Sequence, residues 1–75
     1  MTRYGNLSGD SGVTAYELAP GRITVQFQDG WKYEYTARST GGKEVATMHR
    51  LARAGAGLST FISTTVRERY ARKFR

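Results

Sequence analysis

Two runs flank Asp29-Gly30, and in both the side chains alternate strictly: Arg22-Ile23-Thr24-Val25-Gln26-Phe27 before it and Trp31-Lys32-Tyr33-Glu34-Tyr35-Thr36 after it. Period-two alternation of this length marks a half-buried strand, and Asp-Gly between two such runs is a hairpin signal. The loop length decides which faces meet. A two-residue loop, Asp29-Gly30, sets Gln28 opposite Trp31 and Gln26 opposite Tyr33, so the aromatic groups share a face with Gln and Thr. A three-residue loop, Gln28-Asp29-Gly30 with a bulge at Gly30, sets Phe27 opposite Trp31, Val25 opposite Tyr33 and Ile23 opposite Tyr35. A one-residue slip turns the whole face over. The second register gathers six large apolar groups on one side. Burial at about 25 cal/mol per Å² favours it.

Burial matters because the chain is short. Its 75 residues make one small domain with a modest core, which leaves a homo-oligomer open. The 39% apolar content is low, but nine aromatic residues (five Tyr, three Phe, one Trp) are too many for a solvated tail. The absence of Cys excludes disulfides, thiolate metal sites and a cysteine nucleophile. No apolar run approaches the roughly 18 residues of a membrane span, and no apolar stretch follows Met1–Leu7 as in a leader, so the expected setting is cytoplasmic with no membrane partner.

Residues 1–12 mix Gly5, Gly9 and Gly12 with Asn6, Ser8, Asp10 and Ser11, and read as a flexible arm ahead of a domain over 13–75. Val13–Leu18 is a strand whose two faces are not clearly separated. Ala19-Pro20-Gly21-Arg22 has the type II turn arrangement. Lys43–Ala54 is helical in pattern, with Val45, Met48, Leu51 and Ala52 on one stripe, Ser39 or Thr40 as cap and Gly55 as the stop. Leu58, Phe61, Ile62, Val66 and Tyr70 predict a second helix capped by Ser59 or Thr60, with Glu68 and Arg72 as an i,i+4 pair. Ser63-Thr64-Thr65 are poor helix formers, so packing must hold that segment. The expected fold is α+β: a three-stranded antiparallel β-meander with two α-helices packed on one face.

Catalysis finds little support. His49 is the single histidine, and the six acids are scattered over arm, strands, turn and helices without paired or ligand spacing. The expectation is no enzyme, no metal and no cofactor. His49, at the edge of the first helical stripe, reads as a partly buried structural residue. Gly41-Gly42-Lys43 lacks the spacing of a phosphate loop.

Charge is more informative. The formal net charge is +6, and residues 67–75 carry +4 of it. Arg outnumbers Lys nine to three, which favours bidentate phosphate contacts and stacking. Arg67, Arg69, Arg72, Lys73 and Arg75, with Tyr70 among them, form a candidate nucleic-acid-binding helix, which Arg50 and Arg53 extend if the two helices lie side by side. The bland alternative is a solvated basic end. A partner of another kind, as for a protein-interaction module or a homodimeric accessory protein, is the competing reading.

The order Tyr16, then Ile23-x-Val25-x-Phe27-x-Asp29-Gly30-x-x-Tyr33-x-Tyr35, followed by Phe61-Ile62-Ser63-x-x-Val66-Arg67-x-x-Tyr70, resembles the KTSC domain family over about residues 11–72. That family is named from the C-terminus of some lysyl-tRNA synthetases and includes small stand-alone bacterial and phage proteins. The chain departs from it in a longer Ala37–Gly42 approach to the first helix and in Ser63, where the family favours Asn. The resemblance implies RNA ahead of DNA as partner; the arginines of the helices and C-terminus are expected to contact its backbone, with little base reading. Two readings stand for Tyr33 and Tyr35: core residues under the helices, which the three-residue loop favours, or exposed stacking platforms.

Overall fold

The computed structural model of the chain describes residues 1–7, 9 and 11–75. Five strands, β1 (Thr2–Arg3), β2 (Val13–Ala19), β3 (Arg22–Phe27), β4 (Lys32–Thr36) and β5 (Arg72–Phe74), form one antiparallel sheet in the order β1-β2-β3-β4-β5. Three helices, α1 (Ala37–Thr40), α2 (Gly42–Ala54) and α3 (Leu58–Phe61), intervene between β4 and β5, and α3 runs into a π-helical turn over Ile62–Val66. The α+β class is as expected. The sheet has five strands where three were expected, because both ends of the chain add an edge strand to the central meander.

The β3–β4 hairpin takes the register that burial favoured. Val25 pairs with Tyr33 and Ile23 with Tyr35. Phe27 N–H donates to Trp31 O at 3.0 Å and Gly30 N–H to Phe27 O at 2.9 Å, so the loop is Gln28-Asp29-Gly30. Gly30 has φ of 88°, a backbone state that suits glycine at the bulge. The indistinct faces of β2 also have a cause. The ladder to β3 shifts between Val13 and Ala15, so Val13 opposite Phe27 and Tyr16 opposite Val25 both reach the helix side despite their odd spacing.

The core lies between that face and the helices. Ile23, Val25 and Tyr35 from the sheet meet Val45, Met48 and Ala52 of α2, with Leu58, Ile62 and Val66 completing the layer. α2 ends as its sequence requires. Gly55 is left-handed at φ of 75°, and its N–H reaches the carbonyls of Leu51 and Ala52. A side chain on Gly55 would also press on the backbone of Gly5, whose Cα lies 3.2 Å from where a Cβ would stand.

Four local expectations need correction. The start of the chain is not an arm detached from the domain: Thr2 and Arg3 pair with Tyr16 and Ala15, and Tyr4 is buried. Tyr4 packs edge-to-face on Tyr16, and its hydroxyl accepts the Leu58 N–H at the start of α3 at 3.3 Å. These long-range partners tie residues 2–4 to the rest of the domain. Residues 8 and 10 of that expected arm lie outside the described residues. Second, Ser39 does not cap α2; it sits in α1, where Thr36 and Ser39 form a reciprocal capping box, and Gly41 precedes α2 without a side-chain cap. Third, α3 starts after Gly57 rather than at a Ser59 or Thr60 cap. Fourth, the second helical stripe stops at Val66. Arg67 turns the chain at φ 48°, ψ −116°, and Tyr70 falls beyond the helix.

Candidate nucleic-acid interface

The basic end of the chain is a strand and not a helix. After Arg67 the segment is anchored twice: the Thr40 hydroxyl donates to Arg69 O at 2.6 Å, and Ala71 N–H donates to Glu34 O at 2.6 Å. The second bond starts β5, which pairs Arg72 with Glu34, Lys73 with Tyr33 and Phe74 with Lys32. Alternation along a strand sends successive side chains to opposite faces, so the expected single patch is divided.

Arg72 and Phe74 go to the face away from the helices. There Arg72 Nε meets Glu34 Oε1 at 3.2 Å, and Arg22 lies 3.7 Å from the other carboxylate oxygen. The expected Glu68–Arg72 pair is replaced by this cross-strand one, since Glu68 lies in the turn after Val66 and Arg72 in β5, with no helical turn to bring the two together. Arg72 also lies 4.4 Å from the Phe74 ring centre. Around them Glu17, Glu34, Arg22 and Lys32 leave this face of mixed charge.

Lys73 goes to the helix face at the sheet edge. Its ammonium stands 4.8 Å from the Trp31 ring centre and 5.4 Å from that of Tyr33. The Arg75 guanidinium is also 4.8 Å from the Trp31 centre, held by a bond to Asp29 O at 2.8 Å. Trp31 therefore carries two cations on an exposed corner.

Beside that corner a groove of about 320 Å³ opens between the sheet and the turn after α3. Phe27, Tyr33, Tyr35 and Ile62 line it from the sheet and core, while Ser63, Arg67, Glu68, Tyr70 and Lys73 line the rest. Its aromatic rings are locked edge-to-face: Phe27 on Tyr33 at 5.3 Å, Tyr33 on Tyr70 at 5.0 Å, Tyr35 on Tyr70 at 6.2 Å. Tyr35 is 1% exposed and belongs to the core. Burial, with the neighbouring Tyr33 and Tyr70, pushes its hydroxyl well above the ordinary phenol range. Tyr33 is only half-buried. Of the two readings for this pair, core holds for Tyr35 and a partly accessible ring for Tyr33.

Arg67 reaches this groove through strain. Its backbone conformation lies outside the left-handed helical basin and is unusual for a residue with a side chain. Bonds from Arg67 N–H to Ile62 O at 2.6 Å and from Arg69 N–H to Val66 O at 2.9 Å hold the turn in place. Strained residues concentrate at functional sites, which adds weight to this location.

The other candidates lie elsewhere. Arg69 folds back on the π-turn, donating to Thr65 O at 3.3 Å. Arg53 lines a shallow hollow with Leu18, Ala19, Pro20 and His49 at the β2–β3 turn, whereas Arg75 sits at the β3–β4 turn. These turns are at opposite ends of β3, roughly 20 Å apart. Arg50, three residues before Arg53 on α2, is exposed, and helical spacing puts it beside Arg53. The structure thus brings together Arg67, Tyr70, Lys73 and Arg75, and separates Arg50, Arg53 and Arg72 from them. Residue-level reasoning missed Trp31, Phe27, Ser63 and Glu68 as neighbours of the site. Trp31 carried a signal, as a large aromatic residue adjoining an exposed turn.

His49 is half-buried, with Nε2 2.7 Å from Arg22 O, a structural contact to the start of β3. Among the described residues no helix is long and apolar enough to cross a membrane. No family model, curated protein or solved structure matches the chain.

Proposed function

We propose that the protein is a small, non-catalytic module that binds single-stranded nucleic acid, RNA ahead of DNA. The observation that carries this reading is the position of Lys73 and Arg75 over Trp31 at the mouth of an aromatic groove that also presents Arg67 and Tyr70. Basic groups placed beside aromatic faces serve both parts of a strand: the cations meet phosphates and the rings stack on bases. The rings and cations are already held in place by edge-to-face contacts and by the Arg75–Asp29 bond, so little ordering is needed on binding. The resemblance to KTSC domains is what puts RNA ahead of DNA.

The module that docks a protein by an apolar surface has less support. Among the described residues the large hydrophobic side chains in the open are Met1 and Leu7, far too little for a stable interface. The discriminating experiment is binding of a short labelled single-stranded RNA over a salt series. Phosphate contact by Arg67, Lys73 and Arg75 gives a log–log slope of about −2. Binding that is independent of salt, or that survives replacement of all three by Ala, contradicts the reading.

A further inference from the structure

Glu68 is the one acidic residue lining the groove, and among the described residues it makes no ion pair. The other charged groups there, Arg67 and Lys73, are cationic. A carboxylate at this point weakens phosphate attraction, and it is exposed, so no structural requirement of the core keeps it in place. Its presence fits a ligand that brings hydrogen-bond donors to the groove.

We propose that the groove holds one guanine base of a single strand, with Glu68 accepting from the N1–H and N2–H groups of that base. This rests on the strand-binding reading above. Among the four common bases guanine alone presents two adjacent donors on its Watson–Crick edge, and a carboxylate presents two adjacent acceptors. Adenine and cytosine offer an amino group beside an acceptor nitrogen, and uracil offers one N–H between two carbonyls, so each sets an acceptor against the carboxylate. Lys73, on the sheet side of the groove, meets a phosphate of the strand. Tyr33 and Tyr70 supply ring surface for the base, and Arg67 and Arg75 take the flanking phosphates.

The test compares two labelled oligouridines of equal length, one with a central guanosine and one with a central adenosine, by fluorescence anisotropy. The native protein binds the guanosine strand about tenfold more tightly. Glu68→Gln brings the two within about twofold, while affinity for the adenosine strand holds or rises because a repulsive charge is gone. Equal binding of both strands by the native protein overturns the guanine site and leaves strand binding intact. A guanosine preference that persists in Glu68→Gln overturns the part given to Glu68. Failure to bind either strand at low salt overturns the strand-binding reading and this inference together.

Discussion

Tyr33 and Lys73 are partners across the β4–β5 ladder, and the Lys73 ammonium lies 5.4 Å from the centre of the Tyr33 ring. One residue away, Arg72 pairs with Glu34 on the opposite face. Two adjacent basic residues therefore make separate predictions. Lys73→Ala weakens single-stranded RNA binding and makes the salt slope shallower by about 0.7, the loss of one phosphate contact. Arg72→Ala leaves RNA affinity within about twofold and lowers stability by less than about 1 kcal/mol, since its ion pair is partly solvated. Anisotropy titrations and urea melts of the two variants distinguish these outcomes.

Arg67 predicts a trade between stability and binding. Glycine adopts positive φ without the strain of about 1–3 kcal/mol that a side chain incurs there, offset by about 0.5–1 kcal/mol of extra freedom in the unfolded chain. Arg67→Gly is expected to be more stable by about 1 kcal/mol, a rise in Tm of several degrees for a domain of this size. The same variant binds RNA more weakly, because the guanidinium is lost from the groove. Calorimetry and titration on one preparation check both effects, and a lowered Tm contradicts the strain at this residue.

The start of the chain is expected to be part of the cooperative unit. Tyr4 is 4% exposed and accepts a bond from Leu58, while Leu7 is 75% exposed. Tyr4→Ala should cost about 3 kcal/mol in a denaturant melt, a large part of the stability of a small domain. Leu7→Ala should change it by no more than about 0.5 kcal/mol.

The hairpin was legible because each alternating run has one apolar face, and only one loop length puts Ile23, Val25 and Phe27 with Tyr33 and Tyr35. α2 was legible for a similar reason, with Val45, Met48 and Ala52 at helical spacing and Gly55 to stop it. The basic tail was not. Val66 and Tyr70 are four residues apart, which continues a helical stripe, and nothing in Arg67 announces a positive φ. Alternation in Arg72-Lys73-Phe74-Arg75 has almost no apolar contrast to report a strand, so its faces became defined only by pairing with Glu34, Tyr33 and Lys32. Tyr4 was hidden among glycines because its partners, Tyr16 and Leu58, are distant in sequence. Composition identified the basic, aromatic character of the site. Its division between two faces is a tertiary effect.

Alkaline pH should unfold the protein through Tyr35. Its folded-state hydroxyl titrates far above the ordinary tyrosine value of 10.0, so in the unfolded chain it ionises first. Stability is then complete below about pH 10 and falls as pH rises beyond it, by up to about 1.4 kcal/mol per pH unit while only the unfolded form is ionised. Tyr35→Phe removes this contribution. Urea melts at pH 8 to 11 on the two proteins measure it as the difference in slope.

Amide chemical-shift mapping with a short guanosine-containing RNA at low salt is the most direct measurement of where a strand binds. Perturbations gathered at Trp31, Tyr33, Ser63, Arg67, Tyr70 and Lys73, with Arg22 and Arg53 unmoved, are the expected result. Perturbations centred on Arg22 and Arg72 across the other face of the sheet, or none at all, would contradict the aromatic groove as the nucleic-acid site.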